Sequence, residues 1–466
     1  MFLTFGLTKK VFCILPDIGV MVANPKKFDV RDRGFMKLEK VEDAWNIFIN
    51  AFSKEKLLKI VERDLDISLV NMVLAEDIVS PIDVPPFPRS AVDGYAVRAQ
   101  DTFGATPFNP ITLTVIDEVF IGDEPKTPVE EGTAIKITTG APVPPGADAV
   151  VMIEDTELVS ERVIEIKKAV TPAKNLAKQG EDVKKGDVVL QRGTRLRPVD
   201  LALLKSIGVK KVKVYKKPNI GVMTTGDELV EDLDQLSPAK IIDSNRIMLM
   251  SMIKEDNGEP IDLGIVGDEK NVLISKVQDA IEKNDAVFIT GGTSVGPKDF
   301  LPQVIDEIGN PGILVHGVAI GPGKPVALAV IKEKPVILFP GYPVAAFLNY
   351  ELFGYPLIQL LSGENFDYRP REKVKAILEQ KVSSKPGIRD FVRVKLKTEN
   401  DTLVAQTITR RGAGILSSLT KADGLLIIPE EIEGYDQGAE VEITLVRYFK
   451  EQKMIRGTKI NNGQND

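Results

Sequence analysis

The residues best suited to chemistry sit in one run, DAVFITGGTSVGPKDF, residues 285–300. Its first six residues read as a short buried strand. Thr290, Gly291, Gly292, Thr293, Ser294 and Gly296 then form a glycine-rich loop, with Lys298 and Asp299 at its far side. Glycine tolerates positive φ and lets a ligand approach the backbone. Free N–H groups from such a loop, next to a helix start, favour a phosphate. Phe300 follows Asp299 into a helix, which leaves Asp299 at the mouth of the loop. An ordinary strand–turn–helix connection would show the same glycines, so the choice falls to the rest of the chain.

The chain has one cysteine, Cys13, and one histidine, His316. A disulfide framework, a zinc cage and a Cys/His pair are therefore excluded. His316 lies in the apolar run ILVHGVAI and reads as a satisfied strand histidine rather than a catalytic base. Chemistry must rest on carboxylates, lysines, backbone amides and a hard cation with oxygen ligands. Three acids follow apolar strand-like runs: Glu228 in TTGDE, Asp268 in VGD, and Asp299. Three carboxylates around a phosphate would repel it unless a cation bridges them, and Mg²⁺ does this through carboxylates and substrate phosphates. Lys324, in the rigid PGKP turn, suits an oxyanion as a point charge. Arg89, Ser90 and Asp93 are presented by VPPFPRSAVDGY, whose prolines stiffen an extended segment.

The elements that must position these groups follow from the patterning. With 466 residues, about three or four domains are expected. Hydrophobic and charged fractions of 43% and 27% are those of a globular chain. A net charge of −7 argues against nucleic acid as a main partner. No segment reads as a membrane span, since Pro16 and Asp17 interrupt the one apolar run near the start. Scarce cysteine beside abundant Lys and Glu fits a cytoplasmic setting.

Residues 1–35 read as an N-terminal extension, with the working protein beginning at Met36. Residues 39–61 carry a helical pattern, and a second short helix is expected over 69–78. Residues 36–103 and 172–214 form a first domain in two segments, with 104–171 inserted as an all-β module. From 215 to 366, strands alternate with helices, the pattern of a doubly wound α/β sheet. Ligands of such sheets sit off the carboxyl ends of the strands, where TTGDE, VGD, the glycine loop and FPGYP all fall. Asp243, Ser244 and Asn245 precede a helix as capping candidates. Residues 367–450 return to strands, as a C-terminal β-barrel-like domain. Within them RRGAGILSSLTKADG supplies a basic rim of Arg410, Arg411, Ser417, Ser418 and Lys421. Residues 451–466 read as a tail.

Taken together and in order, SAVDGYAVR, NLAKQGEDV, TTGDEL, DSN, TGGTSVGPKDF, PGKP, FPGYPVAA and GILSSLTKADG resemble the molybdopterin molybdenumtransferase (MoeA/gephyrin E-domain) family over residues 36–449. The resemblance implies an elongated homodimer of four-domain subunits. Its site would lie between the α/β domain of one subunit and the proline-rich region of the other. The implied reaction joins adenylylated molybdopterin, the product of a molybdopterin adenylyltransferase, with molybdate or tungstate, assisted by Mg²⁺, and releases AMP. By motif, Asp93, Glu228, Asp268 and Asp299 fall on the family's functional acids, and Pro340 and Pro343 on its PGNP turn. Residues 290–296 would hold the terminal phosphate of the pterin. Ala177 and Gln179, Gly321, and Tyr342 depart from arginines, a basic residue and an asparagine in many relatives. Alternatives are adenylyl transfer to molybdopterin, or a non-catalytic molybdopterin-binding or scaffold role.

Overall fold

The structure, a computed structural model, describes residues 38–293, 300–364, 372–408 and 412–446. Its centre is a six-stranded sheet in the order Glu259–Val266, Asn219–Thr225, Ala286–Thr290, Lys334–Phe339, Ala327–Ile331, Gly312–His316. The first four strands are parallel, and Ala327–Ile331 runs against both of its neighbours. That reversal comes from a hairpin whose central residues, Lys332 and Glu333, both have positive φ, the geometry two-residue hairpin loops favour. Ala286–Thr290 and Ala327–Ile331 are buried at every position, as strands covered on both faces must be.

One face is covered by helices Lys270–Lys283 and Leu301–Ile308, which bury Leu273, Val277, Ala280 and Ile281, and Leu301, Val304 and Ile305. The other face packs against helix Asn245–Glu255 and the helical run beginning at Pro343. Helix Val41–Ile49 joins this second face: Val41, Ala44 and Phe48 share a core with Ile220, Phe288 and Val315. The first segment of the chain thus supplies part of the α/β layer. The run Pro343–Leu361 contains a π-helical stretch, Tyr350–Gly354. It alone among the described helices is long and apolar enough to cross a bilayer, and 72% of it is buried in the protein.

Three further layers surround the sheet. Ile60–Asp64, Lys211–Tyr215 and Val73–Leu74 form a small antiparallel sheet over Leu69, Leu196 and Leu204. The helix expected over 69–78 is absent. A 3-10 turn at Ile67–Leu69 and the strand Val73–Leu74 stand there, separated by Asn71 at φ +69°. Sheet pairing of Val73 and Leu74 with Tyr215 and Val214 outweighs the helical pattern. The inserted module is a six-stranded sheet in the order Ala149–Met152, Gly94–Val97, Thr133–Ile137, Ile111–Val119, Val163–Ile166, Thr156–Ser160, and its strand Gly94–Val97 lies ahead of the expected 104–171 boundary because it pairs between Ala149–Met152 and Thr133–Ile137.

The C-terminal sheet runs Arg389–Glu399, Thr402–Thr407, Lys373–Leu378, Glu440–Leu445, Gly424–Ile428 and closes on itself through pairing of Gly424–Ile428 with Arg389–Glu399. Closure removes the open edge. Strand Ile320–Gly321 adds to Arg389–Glu399 from outside, tying the barrel to the α/β unit.

Candidate functional site

At the carboxyl edge of the central sheet, four parallel strands release their loops side by side. In-register pairs Thr225 with Val266, Thr224 with Thr290, and Thr290 with Phe339 fix the spacing. Asp227, Glu228, Asp268, Gly291 to Thr293, Pro340 and Pro343 all emerge within a few residues of those pairs. The Asp227 carboxylate accepts the Asp268 N–H at 3.1 Å, and the Asp268 carboxylate accepts the Asp227 N–H at 3.3 Å. This reciprocal pair locks two neighbouring strand ends together. Glu228 is exposed, and its carboxylate folds back to 2.8 Å from where a Cβ on Gly226 would stand. The Lys240 ammonium donates to the Asp227 carbonyl beside it.

The glycine loop is pinned from several sides. Gly291 has φ +97°, and an added Cβ would come within 2.2 Å of the Thr225 carbonyl, so no other residue fits. Thr290 is fully buried, and its hydroxyl accepts from the Asn245 side-chain amide at 3.0 Å. The same amide donates to the Gly341 carbonyl at 2.8 Å, so Asn245 ties the glycine loop to the PGYP turn. Asp243 caps the helix that carries Asn245 by accepting the N–H groups of Asn245 and Arg246. Ser244 makes no side-chain capping bond. His316 is a bonded strand histidine: its Nε2 lies 3.1 Å from the Thr293 carbonyl. Burial lowers its pKa below the usual imidazole value. Ser294, Gly296, Lys298 and Asp299 lie outside the described residues.

Lys324 is exposed on its turn. The turn is anchored by Asn349, whose amide donates to the Gly323 carbonyl at 3.0 Å. Gly323 has φ +129°, and a Cβ there would stand 2.5 Å from that amide nitrogen. The loop leading to helix Leu416–Lys421 docks on the PGYP turn, with the Val344 N–H donating to the Ala413 carbonyl at 2.9 Å. Tyr342, 65% exposed, lies against Gly414 of that loop. Ser417 is exposed, whereas Ser418 is buried and its hydroxyl donates to the Ile415 carbonyl. Arg410 and Arg411 fall outside the described residues.

Arg393 of the barrel lies beneath this loop, only 2% exposed, with its Nη2 3.5 Å from the Gly412 carbonyl. Its Nε is buried and has no hydrogen-bond partner among the described residues, and burial lowers the guanidinium pKa. Asp390, opposite Gly321 in register, has its pKa raised by burial. A buried guanidinium with an unused donor is a strong electrostatic attractor for an oxyanion. The sequence signal for it was an arginine between Val392 and Val394 in the middle of a strand.

Asp93 is placed elsewhere, at the start of strand Gly94–Val97 in the inserted module. Its carboxylate accepts the Thr139 N–H at 2.6 Å and the Thr139 hydroxyl at 2.9 Å. Those two bonds, the backbone one first, hold its pKa below the ordinary aspartate value. Thr139 is a partner that sequence reading missed. Ala177 pairs with Arg89 across two short strands, and the Gln179 amide donates to Asp83 at 2.9 Å. Both departures in the NLAKQGED stretch are thus built into the proline-rich segment. Asp93 and its partner threonine bond within the module and not to the α/β edge.

Among the described residues no group of three His, Cys, Asp or Glu side chains is set to hold a metal ion. Glu228 and Asp268 supply two carboxylates from adjacent strand ends. That donor set fits Mg²⁺, which binds through one or two carboxylates together with substrate phosphates rather than in an all-protein cage.

An α/β sheet with a pinned glycine loop at its carboxyl edge, an inserted β module and a closed C-terminal barrel defines a multidomain protein built around a molybdopterin-binding type of domain. Three family models match in succession: the MoeA N-terminal region (domain I and II) over residues 39–208, a probable molybdopterin binding domain over 221–360, and the MoeA C-terminal region (domain IV) over 375–446. A Methanocaldococcus jannaschii relative whose name ties it to molybdopterin biosynthesis is 42% identical, covering 84% of this chain and 93% of its own. The molybdopterin molybdenumtransferase of Bacillus subtilis is 36% identical over 80% of this chain and 87% of its own. Among solved structures, a molybdopterin biosynthesis MoeA protein from Pyrococcus horikoshii superposes with TM-score 0.74 and 38% identity, covering 88% of this chain and all of that one. The chain belongs to the MoeA family.

Proposed function

We propose that the protein inserts molybdate, or tungstate, into adenylylated molybdopterin and releases AMP. The reading is supported by neighbouring strand ends at one edge of the parallel sheet from which the glycine loop, Glu228 and Asp268 emerge, in a chain of the MoeA family. The loop amides and Thr290 to Thr293 hold the terminal phosphate of the pterin, with Ser294 and Gly296 continuing the loop. Glu228, Asp268 and Asp299 face the pyrophosphate. Mg²⁺, when bound there, neutralises charge between those carboxylates and the phosphates. Lys298 and Lys324 balance the remaining anionic charge. Pro340 and Pro343 shape the turn that Asn245 fixes to the loop, and Ser417 stands on the docked loop beside it. Arg393, buried next to that loop, offers its unused donor to the incoming oxyanion. A dianion can approach only where such preorganised positive charge already exists.

The protein works as a homodimer in this reading. Asp93 and Thr139 bond within their own module, which suits a contribution to the site of a second subunit.

AMP release from adenylylated molybdopterin, assayed with molybdate or tungstate and with or without Mg²⁺, tests the proposal. The expected result is oxyanion-dependent AMP release with turnover above one per subunit. Consumption of ATP without oxyanion-dependent AMP release would show adenylyl transfer instead.

A further inference from the structure

We infer that Lys240 is a further binding residue for the phosphates of the substrate, fixed by the Asp227 carbonyl with its charge unspent; this role rests on the function proposed above.

Two neighbouring strand ends carry three acids, Asp227 and Glu228 after one strand and Asp268 after the other. An anion arriving at that edge meets three like charges, so a cation supplied by the protein counts there. Lys240 stands at the edge because the loop after Glu228 returns to its own start. Strands Leu229–Val230 and Ile241–Ile242 pair in parallel, with Leu229 opposite Ile241, and the Ile241 N–H donates to the Glu228 carbonyl at 2.9 Å. Both ends of the loop are tied to strand Asn219–Thr225. The Leu229 N–H donates to the Gly226 carbonyl at 3.1 Å, and the Thr224 hydroxyl donates to the Asp243 carboxylate at 2.8 Å. Residues 231–239 of the loop are exposed, whereas Lys240 is half-buried.

What the ammonium bonds to decides its role. It donates to the Asp227 carbonyl, a neutral group, and among the described residues it makes no ion pair. Arg246, just past the other end of the loop, shows the contrast. Its guanidinium bonds Glu231 and Asp262 and lies 3.3 Å from Asp243, so it is spent on the protein's own acids. An ammonium has three N–H donors. One goes to the Asp227 carbonyl, which leaves two for phosphate oxygens. A bond to a carbonyl holds the point charge in place without neutralising it, so the charge is preorganised for an anion.

The test uses the full chain with Lys240→Met, which removes charge and donor, Lys240→Gln, which keeps a neutral donor, and Lys240→Arg, which keeps the charge. Dissociation constants for adenylylated molybdopterin are measured without molybdate at low and high salt, and kcat and KM for AMP release are measured separately. Lys240→Met is expected to weaken binding and raise KM about ten-fold with kcat within about two-fold, with most of the loss recovered by Lys240→Arg and little by Lys240→Gln. Binding by Lys240→Met should also be less sensitive to salt than wild type, because one attracting charge is gone. If the ammonium only pins the turn, Lys240→Gln binds as tightly as Lys240→Arg and the salt dependence is unchanged; either result would overturn the inference. So would equal binding by wild type and a folded Lys240→Met, or a fall in kcat at unchanged KM. If Lys240→Met does not fold, Lys240→Arg and Lys240→Gln are compared: tighter binding by the former supports the role, and equal or weaker binding overturns it. Wild-type protein that binds adenylylated molybdopterin but releases no AMP would refute metal insertion alone, leaving the dissociation constants to decide on Lys240.

Discussion

The side-chain amide of Asn245 fixes two parts of the site to one another. It spans the glycine-loop strand, at the Thr290 hydroxyl, and the PGYP turn, at the Gly341 carbonyl. The first bond is buried and the second part-buried, so removing the donor leaves acceptors with reduced partners. Asn245→Ala is expected to cost about 1–3 kcal/mol in urea unfolding and to raise KM for the pterin substrate. Glu228, by contrast, is exposed, and Glu228→Gln should abolish AMP release while leaving the urea midpoint close to wild type. His316 gives a pH signature. Its folded pKa lies below the unfolded value near 6.5, so the unfolded chain binds more protons as pH falls. Its contribution to stability is then complete above about 6.5 and is lost as pH drops towards the folded pKa. Urea titrations from pH 7.5 to 5 should show a steeper loss in wild type than in His316→Gln.

Glu228, Asp268 and Gly291 to Thr293 stand at the strand ends where their motifs put them, because each follows a buried apolar strand, while Asp299 lies outside the described residues and Asp93 stands in another unit. Arg393 could not be read from sequence: Val392 and Val394 face the barrel core, so Arg393 points out of the barrel and is buried by contacts such as the Gly412 loop, which an alternating strand does not announce. Asn245 read as a helix cap; its reach to Gly341 depends on a turn nearly a hundred residues away.

At the level of elements, the alternation of strands and helices after residue 215 was legible because buried parallel strands are continuous apolar runs. The stretch 69–78 was misread because its apolar spacing suits either period, and its partner strand, Lys211–Tyr215, is far off in the chain. The order of neighbouring strands is also set by long-range pairing, so the hairpin that reverses Ala327–Ile331 shows in the sequence only as a break between two apolar runs. One element boundary depends on a buried ion pair. Arg195, ahead of helix Pro198–Ser206, makes two bonds to Glu364, at the end of the helical run from Pro343, with side chains 11% and 8% exposed. Arg195→Met should cost about 1.5–3 kcal/mol, because it removes two charge-assisted bonds, and the double replacement with Glu364→Leu should recover part of that loss. A double-mutant cycle by urea unfolding reads both.

Across the whole molecule, Asp93 and Glu228 stand on separate units of one chain, and a dimer would allow one subunit to complete the other's site. Asp93→Asn and Glu228→Gln should each be inactive alone. Refolded together in equal amounts, half of the dimers would be mixed, each with one intact site, so about a quarter of wild-type AMP release should return. No recovery in the mixture would place both acids in the same subunit's site, and an active Asp93→Asn on its own would place Asp93 outside it.

Helix Val41–Ile49 belongs to the core of a sheet completed only at Phe339. On the ribosome its apolar side, Val41, Ala44 and Phe48, emerges before any of the strands that will cover it. About 290 residues must follow, roughly 15 to 60 seconds at ordinary synthesis rates. A helix made early in synthesis is therefore sheltered late. During that interval a nascent-chain chaperone has an amphipathic helix to hold.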